Sequence, residues 1–276
     1  MTPALHPDPH YVLGKPYQAE HHWYYPQEAF DLDETGLATV AKNDSPRLTS
    51  DGEVFDQTAL AAAHPTIQLP AIARLTNLEN GREVTVRLND RGAGDPHRLV
   101  EITRRTAQLL GIPPDSIARI HLRVLPSDSH AATDALPDAP RLALNIAPRG
   151  GFQVAELAPP PGVRQSDREA LPATKVVAAA EFQTPAPPLR LPEIVSQTAA
   201  RPGRLMVRLD SFDEYHYAAV QRAKMAAAGA RIVPVLDGRT RRFRVDVGPL
   251  PDIARADAVL DQALASGIPD ARIVVD

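Results

Sequence analysis

One stretch constrains this chain more than any other. Residues 126–200 hold 12 of its 28 prolines, including Pro159-Pro160-Pro161 and Pro185-Ala186-Pro187-Pro188, on an alanine background. A proline ring removes the amide donor and fixes φ, so such a stretch sustains neither a helix nor a sheet ladder. It predicts a disordered, extended linker of about 3 Å per residue. Leu142 to Val154 is its only part apolar enough to pack on a neighbour. The 276 residues then divide into an N-terminal arm (1–32), a first domain (33–125), the linker (126–200) and a second domain (201–276), each domain with a modest core.

Within the first domain, Ile72 to Thr76 and Glu83 to Asn89 alternate apolar and polar residues around Glu79-Asn80-Gly81. This reads as a hairpin in which Asn-Gly supplies positive φ angles. Asp56 can cap a short helix running through Ala63 to Pro65, and Thr103 can cap another ending at Gly111. Ile120, Leu122 and Val124 alternate as a closing strand. Short strands with two small helices in about 95 residues predict a small β-barrel.

The second domain has a different grammar. Leu205, Val207 and Leu209 mark a strand; Asp213 to Ala228, a helix ended by Gly229; Arg231 to Leu236 and Arg241 to Val247, two strands around Asp237-Gly238. A helix from Asp252 to Ser266 and a strand from Ala271 to Val275 follow. The order βαββαβ predicts a four-stranded antiparallel sheet with both helices on one face, a ferredoxin-like arrangement.

Composition removes several function classes. A net charge of −4 gives no basic footprint for nucleic acid. No run reaches the roughly 18 apolar residues of a membrane span, and Met1 to His10 lacks the basic start and apolar centre of a secretion signal, so the chain as written is expected to be soluble. There is no cysteine, hence no disulfide and no thiol catalysis. The nine histidines show no metal-ligand spacing, and no phosphate loop or nucleophile elbow is present. Neither metal nor cofactor is expected.

Four segments carry a resemblance: Leu60-Ala-Ala-Ala-His64-Pro-Thr, Leu69-Pro70, Thr76-Asn-Leu-Glu-Asn-Gly-Arg82 and Val86-Arg-Leu-Asn-Asp-Arg-Gly92, with Gly52-Glu53-Val54-Phe55-Asp56 before them. In this order they resemble the six-stranded double-psi β-barrel of the rare lipoprotein A (RlpA) family. Val207-Arg-Leu-Asp-Ser-Phe212 and Phe243-Arg-Val-Asp-Val-Gly-Pro249 resemble the SPOR domain that follows the barrel in that family. Two barrel loops depart from the pattern. Val40-Ala-Lys-Asn-Asp44 replaces an aromatic-Gly, and Gly92-Ala-Gly-Asp-Pro96 replaces a Gly-Pro-Phe.

Asp90 shares strand parity with Val84, Val86 and Leu88 at a strand end. That would set its carboxyl at an apolar rim, where desolvation favours the protonated form an acid catalyst needs. The same residue suits an Asx turn or an ion pair, Glu53 beside Gly52 suits a turn, and His64 before Pro65 suits a cap. The resemblance implies a lytic transglycosylase. On that resemblance Asp90 would protonate the oxygen between N-acetylmuramic acid and N-acetylglucosamine and would then accept the C6 hydroxyl proton, closing a 1,6-anhydro ring. Glu53, the alternative acid, and His64 match family positions that would hold the sugar or its oxocarbenium-like transition state.

On the second domain, Met206, Arg208 and Asp210 are expected to share the open sheet face with Arg242, Arg244 and Asp246. With Ser211 and Phe212, the arginines Arg208, Arg242 and Arg244 are candidates for binding sugar hydroxyls and lactyl carboxylates; a plain solvated face is the alternative. The resemblance implies peptidoglycan strands lacking stem peptides as partner, with division-site proteins. It also implies a monomer in the periplasm, or on the periplasmic face of the outer membrane, at the septum. A glycan-binding scaffold that does not cut is the other reading.

Overall fold

The computed structural model describes residues 5–134, 136–140, 190–238 and 240–276. The arm carries a short hairpin, β1 (Tyr17–Ala19) and β2 (His22–Tyr24). The first domain follows as β3 (Asp33–Val40), β4 (Ala61–Ala63), β5 (Ala71–Asn77), β6 (Arg82–Asp90), β7 (Val100–Ile102), α1 (Arg104–Leu110) and β8 (Ile117–Val124). Neighbouring strands run β4-β7-β3-β8-β5-β6, and β6 returns to β4, so six strands close into a barrel. Closure removes the free sheet edges that would otherwise expose unpaired backbone groups. The interior is filled by alternate residues: Ala38 and Val40, Ala73 and Leu75, Val84, Val86 and Leu88, Ile120, Leu122 and Val124.

The β5–β6 hairpin forms as expected, but only Gly81 has a positive φ (76°). Asn80 works through its side chain instead: Nδ2 donates to the Leu110 carbonyl and Oδ1 accepts from the Arg82 amide. Thr103 caps α1, and Gly111 ends it in the left-handed region. The helix predicted after Asp56 is absent. Asp56 Oδ1 accepts from the amide and hydroxyl of Thr58 in a local turn, and Ala61–Ala63 is drawn into β4 between β6 and β7. A three-alanine segment with a vacant slot in the barrel gains more from ladder pairing than from one isolated helical turn.

Two parts of the expected linker are ordered. Pro126–Asp134 is a helix, α2, in which proline takes the first turn and Ser129 Oγ bridges the amide and carbonyl of Ile72. Val195–Gln197 forms β9, which adds to the outer edge of β6. The rest of the linker reading, including Leu142 to Val154, lies outside the described residues.

The second domain is β10 (Leu205–Phe212), α3 (Tyr215–Lys224) with a 3-10 turn to Gly229, β11 (Arg231–Asp237), β12 (Thr240–Leu250), α4 (Ile253–Ala265) and β13 (Arg272–Val275). Its antiparallel order β11-β12-β10-β13 is the expected ferredoxin-like sheet. Leu205, Val207, Leu209, Val245 and Val247 meet Val259, Leu260 and Ala263 of α4. This core also takes in Leu37 from the outer face of β3. The edge strand β13 lies against that barrel strand, with Thr35 Oγ1 donating to the Val275 carbonyl at 2.6 Å and accepting from its amide at 3.0 Å. Arg98 forks onto both oxygens of Asp257 at 2.8 and 3.0 Å, and His97 bridges Asp95 and Asp261. Barrel and second domain cluster as one compact unit.

Candidate active site

The C-terminal end of β6 gathers the barrel residues singled out from the sequence. Arg87 and Asn89 reach from β6 to Glu53: Arg87 Nε donates to Oε1 at 2.7 Å and Asn89 Nδ2 to Oε2 at 2.8 Å. The next residue is Asp90, whose carbonyl accepts from the His64 amide at 2.9 Å. Glu53 sits in a tight loop closed by Thr49 N to Glu53 O and Gly52 N to Thr49 O. From the same loop Ser50 meets Asp90, through its amide at 3.1 Å and its hydroxyl at 2.7 Å. One loop therefore contacts β6 at both carboxylates.

Asp90 is buried, but not against an apolar rim. Arg47 Nη1 donates to Oδ2 at 2.6 Å, and the Arg91 amide joins Ser50 at Oδ1. Every partner is a donor, so the carboxyl acts as acceptor throughout. The ion-pair alternative describes it better than the desolvated rim expected from parity. Strand parity itself fails here, because a register shift between Ala62 and Ala63 bulges the β4–β6 ladder.

Burial perturbs the carboxyl of Asp51. It is fully enclosed, and its Oδ1 accepts from Thr49 Oγ1 and the Glu53 amide, while Oδ2 has no partner. Desolvation first, and the neighbouring Glu53 carboxylate second, push its pKa up to about 7. The sequence reading passed over Asp51. The signal available was Asp51-Gly52-Glu53 itself, two carboxylates set close by a glycine turn.

His64 behaves as the cap its position before Pro65 allows. Nδ1 accepts from the amides of Thr66 and Ile67 at 3.2 and 3.4 Å, so the ring proton resides on Nε2, which has no partner. Burial drives its pKa down to about 3, and the imidazole is neutral. The arm crosses the loop at 49–53 and the segment at 65–69. Asp8 N bonds Gly52 O, His10 N bonds Asp51 O, Val12 pairs with Leu69, and Tyr17 Oη donates to Pro65 O. Tyr24 Oη donates to Gly94 O.

On the second domain, Arg208 and Arg244 both bond the buried Asp246, at 3.4 and 2.7 Å, and Arg242 Nη2 donates to the Ser211 carbonyl. Ser211 pairs with Arg244 across the strands. Two expectations fail. A bulge between Arg208 and Asp210 sets Asp210 opposite the core residue Val245, out of the polar row. Phe212 pairs with Phe243, and both pack against the helix-side core. Burial, then the neighbouring charges of Arg244 and Arg272, hold Arg208 below the usual guanidinium range. Among the described residues no group of His, Asp and Glu could hold a metal.

A family model described as lytic transglycolase matches residues 22–122. Proteins named endolytic peptidoglycan transglycosylase RlpA are similar to this chain. The one from Yersinia pestis is 43% identical over 82 residues, covering 29% of this chain and 23% of its own length. The Escherichia coli K12 protein is 31% identical over 192 residues, 65% of this chain and 50% of its own. The Rickettsia felis protein is 29% identical over 124 residues, 44% and 54% respectively. The chain thus spans about a quarter to a half of these relatives. A solved RlpA SPOR domain from Pseudomonas aeruginosa aligns at 17% identity and a TM-score of 0.25, over 26% of this chain and 99% of that one.

Proposed function

We propose that this chain, similar to RlpA proteins in its barrel, cleaves peptidoglycan glycan strands as a lytic transglycosylase. The observation that carries this is the convergence of Glu53, Asp90 and His64 on the end of β6. Asp90 takes the acid role: it protonates the oxygen leaving from N-acetylmuramic acid, then receives the C6 hydroxyl proton as the 1,6-anhydro ring closes. Arg47, over a third exposed, swings away as substrate enters, and Asp90, freed of that ion pair, takes up from solvent the proton it then donates. Glu53, fixed by Arg87 and Asn89, presents a carboxylate to the developing oxocarbenium charge. His64 contributes its neutral Nε2–H as a donor.

The cationic sheet face around Arg208, Ser211, Arg242 and Arg244 binds the lactyl carboxylates that peptide-free strands expose. It raises the local concentration of substrate at the barrel. No helix among the described residues is long and apolar enough to cross a membrane, and the substrate places the work at the cell envelope, at division sites where peptide-free strands occur. A second reading, a scaffold that grips without cutting, is favoured by one feature: Arg47 is bonded to Asp90, and the arm is bonded to the loop that carries Glu53.

Purified wild type and Asp90→Asn, incubated with strands from amidase-treated sacculi, separate the two. Mass spectrometry is expected to find 1,6-anhydro ends from wild type alone, with the Asn variant at least about a hundredfold slower. No products from either, with strands still pulled down, would leave the scaffold.

A further inference from the structure

A cleft of about 360 Å³ lies apart from the two carboxylates, where the arm, the barrel and the second domain meet. Trp23, Tyr25, His64, Arg98, Asp270 and Arg272 are among its walls. Trp23 and Tyr25 are 50% and 61% exposed. Two large rings held open to water, two positions apart on an extended segment, form a ledge that the barrel core does not claim. His64, only 4% exposed, is also among the residues that border the cleft.

The cleft is continuous with the cationic face. Arg231, Asp246, Arg208 and Arg272 stand directly opposite one another across β11, β12, β10 and β13, and Arg244 reaches into the same row. Arg208 and Arg244 bond that one carboxylate, and the row's excess of positive charge ends at Arg272. There the barrel begins, and Arg272 Nη2 meets Glu34 of β3 at 3.2 Å.

We propose that this cleft is a saccharide subsite, in which Trp23 and Tyr25 stack on the apolar faces of amino-sugar rings while Arg272 receives a ring-borne carboxylate. A glycan strand held on the second domain then continues over Arg272 into the cleft beside the barrel. The arm becomes one wall of the binding path. This deepens the proposed function and rests on it for the class of ligand. An exposed aromatic ring contributes a large contact area at low entropic cost, and its charge-free recognition complements the arginine row.

The test uses the full chain, peptide-free glycan strands sorted into short and long fractions, and chitohexaose as an uncharged probe. Wild type is expected to bind long strands about tenfold tighter than short ones. The Trp23→Ala, Tyr25→Ala double variant loses that gain and its affinity for chitohexaose, yet keeps short-strand binding. Arg272→Gln weakens strands and leaves chitohexaose unchanged. Both variants alter half-exposed side chains, and a thermal melt checks that they fold. A double variant that binds long strands and chitohexaose like wild type overturns the subsite. Anhydro ends, measured in parallel, isolate the two claims. Products with unaltered variant binding sink the subsite alone, whereas lost length dependence without products supports the subsite and sinks the enzyme reading.

Discussion

Asp51 binds its proton more tightly than an exposed carboxyl because its enclosure offers an unpaired oxygen nothing but protein, and because Glu53 is close by. The folded carboxyl therefore binds a proton more tightly than the unfolded one. Its contribution to stability is complete below the ordinary carboxylate range and is lost as pH rises through about 7. Wild-type Tm is expected to fall between about pH 5 and pH 8, at a cost on the order of 2–4 kcal/mol. Asp51→Asn, with no proton to lose, should show a flatter profile when Tm is measured by calorimetry across that range. A wild-type and variant pair with parallel profiles would mean that Asp51 is already ionised in the fold. The residue also links the two carboxylates of the proposed mechanism, since its neighbours Ser50 and Glu53 touch Asp90, Arg87 and Asn89.

At the scale of elements, the β1–β2 hairpin is fitted to a loop whose sequence departs from the family pattern. Gly94 has φ 76°, and a Cβ added there would lie 2.3 Å from the Cβ of Ala19. The two residues are small for the same reason: the hairpin rests directly on the loop. Enlarging Ala19 to Trp leaves the barrel core untouched but forces the hairpin off. Limited proteolysis with thermolysin should then cut within residues 17–30 about tenfold faster, with the barrel fragment surviving. Unchanged digestion would show that the loop yields instead of the hairpin. Docking is also what gives the polar-aromatic residues at 21–25 their neighbours, as when Tyr24 Oη donates to the Gly94 carbonyl.

Across the whole molecule, barrel and second domain share Leu37. It is fully buried, yet it points outward from the barrel into the core of the other domain. Leu37→Ala should therefore destabilise by about 2–5 kcal/mol, the range for deleting a buried leucine side chain, and the loss should fall on the domain junction. In guanidinium, wild type is expected to unfold in one transition and the variant in two, followed by tryptophan fluorescence from Trp23 and by far-UV circular dichroism. A single transition displaced to lower denaturant would place Leu37 in an ordinary core and make the docking incidental to stability. The junction also has a polar rim, the Arg98–Asp257 fork and the His97 bridge, where two carboxylates raise the histidine above its usual range.

The sequence by itself determined what periodicity and local chemistry can encode. The alternation along β5, β6 and β8, the Thr103 cap, the βαββαβ order and the presence of Glu53, His64 and Asp90 were all legible, because each depends on residues close together in the chain or on a motif. It misjudged whatever required knowing a partner. Ala61–Ala63 became a strand because β6 and β7 flank it, α2 and β9 are ordered by β5 and β6, and bulges at Ala62/Ala63 and Arg208/Asp210 broke the parity used to orient Asp90, Asp210 and Phe212. Only the tertiary structure decided the surroundings of Asp90, the enclosure of Asp51 and His64, and the cleft under Trp23. Burial and ion pairing there come from loops tens of residues apart, and such distances leave no period in a sequence.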